Sequence, residues 1–271
     1  VQTILLYDHD YHTPPALKRI FPDTDFLLRL AQVRQQPLIQ FWQSCPCVIL
    51  GLQDKRLTQL QAGLQWLHRQ QWPVFIRNSG GLAVISDPGI INLSYFIPDT
   101  TNLSIDQAYE LMFADLQSCL APLMLDHFEV QNSYCPGTYD IVRQGQKIAG
   151  LAQRRLNRAG VVMAYIAVNG NQQHRGALLQ KFYQLANQPV QARYPQVNPA
   201  SMTTLAAVDS SCPTPAIFKA RLLQVLAQRF TIQKISTSWL TQQPQYASSI
   251  SKALTQQQQL NRTLYKLKEE Q

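Results

Sequence analysis

Apolar residues change their spacing abruptly and often along this chain, and that alternation limits the possible folds more than any other feature. Residues 25–34 carry Phe26, Leu27, Leu30, Ala31 and Val33 at roughly helical spacing behind Asp23 and Thr24 as caps, which predicts a first helix. Two short runs rich in branched and aromatic side chains follow at 38–42 and 48–50, and the break at 44–47 predicts paired strands. Helical spacing returns over 57–71 through Leu60, Leu64 and Leu67, and strand signals recur at 74–77, 83–85 and 91–96. Ser104 caps a long helix expected over 105–120. Further strands are expected near 128–130 and at 141–142, 147–151 and 161–168, with hairpin turns at 143–146 and 157–160. Helices are expected at 178–187, 203–207 and 216–229. Elements grouped in this way predict an α+β fold rather than a regular parallel winding.

The 271 residues are 45% hydrophobic and 15% charged, which supplies a core and excludes a disordered chain. Domain organisation reads as one domain over 1–240 and a helical tail over 241–271. From Ser238 the composition shifts to Gln and Ser, and Leu260, Leu264 and Leu267 mark an amphipathic helix expected to dock on the same domain. No uninterrupted apolar run approaches the roughly 18 residues that span a bilayer, and residues 1–10 lack the basic start and apolar stretch of a signal peptide. The expectation is a cytoplasmic protein with no membrane partner. The net charge of +8 makes nucleic acid a suspect, but the basic residues are dispersed and no nucleic-acid-binding motif accompanies them. An acidic protein surface suits that charge.

Cys45, Cys47, Cys119, Cys135 and Cys212 are odd in number, so free thiols are expected. Cys45 and Cys47 lack a second pair of metal ligands, and no metal site is expected. Cys135 differs from the others. It stands in the Pro-Gly loop Ser133-Tyr-Cys-Pro-Gly-Thr-Tyr-Asp140, and loops are where reactive groups are usually held. A thiol attacks only as thiolate, so a neighbour must lower its free pKa of about 8.5. Lys147, across the 143–146 turn in Gly145-Gln-Lys-Ile-Ala-Gly150, is the first candidate, and His127 is the competing one. A third segment, Arg77-Asn-Ser-Gly-Gly-Leu-Ala83, combines two glycines that permit close backbone approach with polar donors. Candidate binding residues are Arg77, Ser79, Gly80 and Gly81, Tyr134, Gly137 and Asp140, and Gly150 and Gln153. The N–H groups near Gly81 or Gly150 are the candidate oxyanion donors.

Together these segments resemble the lipoate and octanoate transferase branch of the biotin/lipoate protein ligase superfamily, over roughly residues 37–202. Ligases of that superfamily commonly carry Arg-Arg-x-Gly-Gly-Gly-Ala-Val at the first segment. Here Arg77-Asn-Ser-Gly-Gly-Leu-Ala-Val84 departs at Asn78 and Leu82, which argues against adenylate formation. The resemblance implies a mixed β-sheet flanked by helices, an ATP-independent acyltransferase, and no cofactor, metal or nucleotide. It implies that Cys135 carries an octanoyl group as a thioester and that Lys147 lowers its pKa. The implied partners are glycine cleavage H protein as acyl donor and the lipoyl domains of 2-oxoacid dehydrogenase E2 subunits as acceptors. The alternatives are an octanoyl-acyl carrier protein transferase, an ATP-dependent lipoate-protein ligase, and a non-catalytic acyl-carrier binding protein.

Overall fold

A computed structural model describes residues 1–265. The chain opens with β1 (Gln2–Asp8), α1 (Ile20–Arg34), β2 (Leu38–Trp42), β3 (Cys47–Leu50), α2 (Leu60–Arg69), β4 (Val74–Ile76), β5 (Val84–Ser86) and β6 (Ile90–Ile97). The middle holds α3 (Ile105–Cys119), β7 (Asp126–His127), β8 (Asp140–Arg143), β9 (Gln146–Leu156), β10 (Ala159–Ala167) and α4 (Gln172–Ala186). The chain then forms α5 (Leu205–Val208), α6 (Pro215–Ala227), β11 (Phe230–Ile235), α7 (Thr237–Thr241) and α8 (Tyr246–Tyr265).

Eight strands form one mixed sheet in the order β11-β1-β2-β6-β10-β9-β8-β7, and β4-β3-β5 form a smaller one. Both faces of the large sheet are covered, and the period-two geometry of a strand sorts its side chains between them. Ile39 and Phe41 of β2 and Val162, Ala164 and Ile166 of β10 join Ala108, Met112 and Leu116 of α3 and Phe218, Leu222 and Leu226 of α6. Leu38 and Val161 point the other way, into a core with Phe26, Leu27, Leu30 and Ala31 of α1 and Ile250 of α8. The small sheet packs Val48, Leu50, Ile76 and Ile85 against Leu64 and Leu67 of α2 and Leu179 and Phe182 of α4. The mixed sheet flanked by helices is the architecture expected.

Local chemistry sets the elements. Ser104 accepts from the Gln107 N–H while the Gln107 side chain accepts from the Ser104 N–H, and this reciprocal cap starts α3. Gln144 and Gly145, both at positive φ, close the two-residue turn between β8 and β9. The structure also departs from the sequence expectations. α1 begins at Ile20, with Pro22 in its first turn, where a missing N–H costs nothing. α4 begins at Gln172 rather than at 178. The strand expected near 128–130 is the two-residue β7. β1 and β11, which pair in parallel at the sheet edge, were not foreseen. Leu260 and Leu264 pack toward the small-sheet core, and Leu267 lies outside the described residues. No described helix is long and apolar enough to cross a membrane.

Candidate active site

The loop between β4 and β5 faces the loop that precedes β8, and the two meet at the sulfur of Cys135. Gly81 sits at φ +82°, and a Cβ there would lie 2.6 Å from the Arg77 guanidinium and 3.2 Å from Cys135 Sγ. Only glycine serves, because the backbone conformation and the space both exclude a side chain. Arg77 folds back over its own loop: Nε and Nη2 donate to the Gly80 carbonyl at 3.0 and 2.9 Å, and Nη2 also donates to Leu82 O at 2.9 Å. The same Nη2 reaches Cys135 Sγ at 3.7 Å, and the Leu82 N–H points at that sulfur from 3.4 Å. On the outer side, Asn78 donates to Asp25 of α1, which also pairs with Arg154 of β9.

Cys135 holds φ 47°, a left-handed conformation that costs a non-glycine residue about 1 kcal/mol or more. Lys147 stabilises that geometry. Its Nζ donates to the carbonyls of Cys135 at 2.8 Å and Tyr134 at 3.1 Å, lies 3.3 Å from Ser133 Oγ, and pairs with Asp140 Oδ1 at 2.9 Å. Three ammonium hydrogens are thus shared among four neighbours, none of them the sulfur. Lys147 and Asp140 are 5% and 1% exposed, so the pair is largely shielded from water, with Lys147 at the cleft wall. Burial raises the Asp140 carboxyl above its ordinary pKa even though Lys147 acts in the opposite direction. A Cβ at Gly150 would press on Lys147 Cε and Nζ at 3.2 Å, so that glycine makes room for the lysine.

Cys135 and Lys147 open onto a cleft of about 760 Å³, counting its mouth, between the two sheets. Its walls include Phe21, Trp42, Ile49, Val84, Leu93 and Met163, which suits an alkyl chain. At about 0.8 kcal/mol per buried methylene, an eight-carbon chain fully inside would gain roughly 5 kcal/mol. Tyr134 and Tyr165 also line the cleft, joined hydroxyl to hydroxyl. Gln172 donates to Tyr134 OH at 2.8 Å, and Arg175, itself paired with Asp87, donates to Gln172.

Of the residues singled out in sequence, Arg77, Ser79, Tyr134, Cys135, Lys147 and Gly150 line the cleft, and Gly81 lies where an added Cβ would meet the sulfur. Gly80 is exposed and enters only through its carbonyl, bound by Arg77. Gly137 turns the loop by accepting the Asp140 N–H at 3.0 Å. Two expected substrate contacts need correction. Asp140 is buried behind Lys147 and also accepts the Val130 N–H, so substrate cannot reach it. Gln153 donates to the Ile105 carbonyl at the start of α3, outside the cleft. Arg77 donates to the sulfur at 3.7 Å, whereas Lys147, the expected activator, donates to the carbonyls of Cys135 and Tyr134 beside it and pairs with Asp140. His127 is occupied by Glu110 at 3.3 Å and stacks on Tyr139. Cys47, Cys119 and Cys212 are buried, and burial pushes the Cys47 thiol up to about 12. No group of three or more His, Cys, Asp or Glu able to hold a metal occurs among the described residues. Sequence reasoning missed Asp54, Tyr183, Tyr165 and Gln172, because their sites are assembled from distant segments.

Comparison with known proteins follows the same lines. The model of the lipoyl protein ligase A/B catalytic domain matches residues 23–227. An octanoyl-[GcvH]:protein N-octanoyltransferase of Anoxybacillus flavithermus is 37% identical over 196 residues, 71% of each chain. A lipoyl-[GcvH]:protein N-lipoyltransferase of Listeria monocytogenes is 36% identical over 192 residues, 69% of each chain. Among solved structures, a lipoate-protein ligase A bound with ATP superimposes at TM-score 0.70 with 16% identity, covering 94% of this chain and 95% of that one. A bi-partite lipoate protein ligase from Thermoplasma acidophilum gives 0.66, with 16% identity and coverage of 94% and 92%. At these identities the structural likeness concerns the fold.

Proposed function

The chain belongs to the lipoyl protein ligase A/B catalytic-domain family, and from that premise we propose that it is an ATP-independent protein N-octanoyltransferase of the lipoate pathway. It takes the octanoyl group from the lysine of glycine cleavage H protein, carries it on Cys135, and delivers it to the lysine of lipoyl domains in 2-oxoacid dehydrogenase complexes. The observation that carries the reading is the Cys135 sulfur held between the Leu82 N–H and the Arg77 guanidinium at the wall of an apolar cleft. Residues 1–240 form the catalytic domain in this reading, with 241–271 as a C-terminal tail.

In the first half-reaction the Cys135 thiolate attacks the octanoyl amide carbon. The carbonyl π pair moves to oxygen, and the oxyanion that forms beside the sulfur is within reach of the Leu82 N–H. The C–N bond then breaks, the donor's lysine leaves with a proton, and a thioester remains. Lys147, paired with Asp140 at 2.9 Å at the wall of the cleft, is the group placed to supply that proton. In the second half-reaction an acceptor lysine attacks the thioester, Cys135 leaves as thiolate, and the nitrogen's surplus proton returns to Lys147, which closes the proton cycle. One amide is exchanged for another, so the sum is close to thermoneutral and needs neither ATP nor metal. Leu82, where ligases commonly have glycine, buries its side chain in the small-sheet core and closes the loop over the sulfur.

The test is transfer from octanoylated H protein to an apo lipoyl domain without ATP, read as the acceptor's mass. The wild type should transfer and Cys135→Ala should not. Gain by the acceptor only with free octanoate and ATP would identify a ligase instead.

A further inference from the structure

Asp54 stands on a short turn, Asp54–Arg56, between β3 and α2, and is 0% exposed. Among the described residues it forms no ion pair, which makes an ionised carboxylate there costly to bury. It is held instead by two donors. Oδ2 accepts the Gly51 N–H at 2.8 Å, and Oδ1 accepts the Tyr183 hydroxyl at 2.9 Å. That hydroxyl in turn accepts the Ala83 N–H at 3.0 Å.

Both arms end on the loop that faces the sulfur. Gly51 packs so closely that a Cβ on it would lie 1.9 Å from the Gly81 carbonyl oxygen, and the next residue, Leu52, donates to Ser79 O at 3.3 Å. Ala83 follows Leu82, whose N–H points at Cys135. A single carboxylate therefore holds one side of the loop through Gly51 and the other through Tyr183. Nothing in that arrangement touches substrate. It fixes the direction of the Leu82 N–H and the reach of Arg77.

We propose that Asp54 is a positioning residue for the Cys135 thiolate, acting through Gly51 and Tyr183 on the Arg77–Leu82 groups that face the sulfur. The inference rests on the reading of Cys135 as nucleophile. Burial pushes Asp54 up to about 6, so the carboxylate is ionised at neutral pH and gains protons as the solution is acidified. Asparagine in its place keeps the shape but offers one acceptor and one donor. If its oxygen serves Gly51, its amide faces the Tyr183 hydroxyl, whose proton then lacks an acceptor, and the bond to Ala83 loosens.

The experiment is the rate of iodoacetamide alkylation at Cys135, read on the Cys135 peptide by mass spectrometry from about pH 5 to 9, for wild type, Asp54→Asn and Tyr183→Phe. Melting temperature is measured on the same samples. The expected result is alkylation of Cys135 about tenfold slower in Asp54→Asn at neutral pH, with a smaller slowing in Tyr183→Phe. Any melting deficit of Asp54→Asn should shrink as pH rises through about 6, because the carboxyl it replaces becomes a buried charge there. Unchanged alkylation rates in both variants would overturn the proposal, as would slowing that merely tracks a lowered melting temperature. The alkylation reading does not depend on acyl transfer. If wild type formed no octanoyl thioester while alkylation still slowed in the variants, the transfer reading would fall and the role of Asp54 would stand.

Discussion

Lys147, the activator expected from sequence, contacts the Cys135 carbonyl, while Arg77 contacts the sulfur itself, and their shares in activating the thiol can be measured. Arg77 donates to the sulfur, so Arg77→Met should slow alkylation of Cys135 more than Lys147→Met does; the reverse order would make the lysine the main activator. Lys147→Met has a different signature. It leaves Asp140 buried without its partner, which costs about 3–5 kcal/mol of stability, measurable by denaturant titration. The sign with pH follows from the carboxyl's raised pKa. A carboxyl whose folded pKa lies above its unfolded value binds its proton more tightly in the native state, so it contributes more to stability as pH falls. Without Lys147 that rise grows, so the variant's deficit should be largest at neutral pH and shrink in acid; a pH-independent deficit would contradict the ion pair. Cys135, Lys147 and Arg77 were legible because each sits in a glycine-marked segment with a reactive or charged side chain. Asp54 and Tyr183 were not, since nothing local ties residue 54 to residue 183.

Among the elements, α8 bears on the site although it contributes no wall of the cleft. β4 is an edge strand of the small sheet, and α8 satisfies it with side chains instead of another strand. Asn261 Oδ1 accepts the Ile76 N–H at 2.7 Å, while Gln257 donates to the Ile76 carbonyl at 2.6 Å. Ile76 is the residue before Arg77, so this brace sets where the guanidinium starts. Asn261→Leu should cost about 1–3 kcal/mol for the unpaired N–H, read as a lower melting temperature, and should slow Cys135 alkylation as well. Unchanged alkylation would uncouple α8 from the loop. The terminal helix was legible through Leu260 and Leu264, but its amide pairing with β4 was not, because a Gln-rich composition carries no signal of a strand edge. β1 escaped notice for a related reason. Ile4, Leu5, Leu6 and Tyr7 are all buried, so the run shows no alternation. β11 alternates, but it follows α6 closely and merges with the polar tail in sequence.

At the scale of the molecule, the +8 charge becomes informative once it has a location. Lys55, Arg56 and Arg193 are exposed beside the turn that carries Asp54, with Arg193 donating to the Arg56 carbonyl at 3.5 Å. None of the three meets a carboxylate among the described ion pairs. Leu52 N–H bonds to Ser79 O, so this basic face borders the cleft's loop. If the carriers present acidic surfaces there, kcat/KM for transfer should fall as ionic strength rises, and Lys55→Glu with Arg56→Glu should raise KM while leaving alkylation of Cys135 unchanged. Salt-independent kinetics would remove electrostatic steering from the account. The central claim is the covalent intermediate, and intact mass tests it most directly. Wild type and Cys135→Ser are incubated with octanoylated H protein in the absence of ATP and weighed. The account predicts one octanoyl group added to the wild type, released by hydroxylamine and absent from the variant; an adduct on Cys135→Ser, or none on a wild type that still transfers, would contradict it.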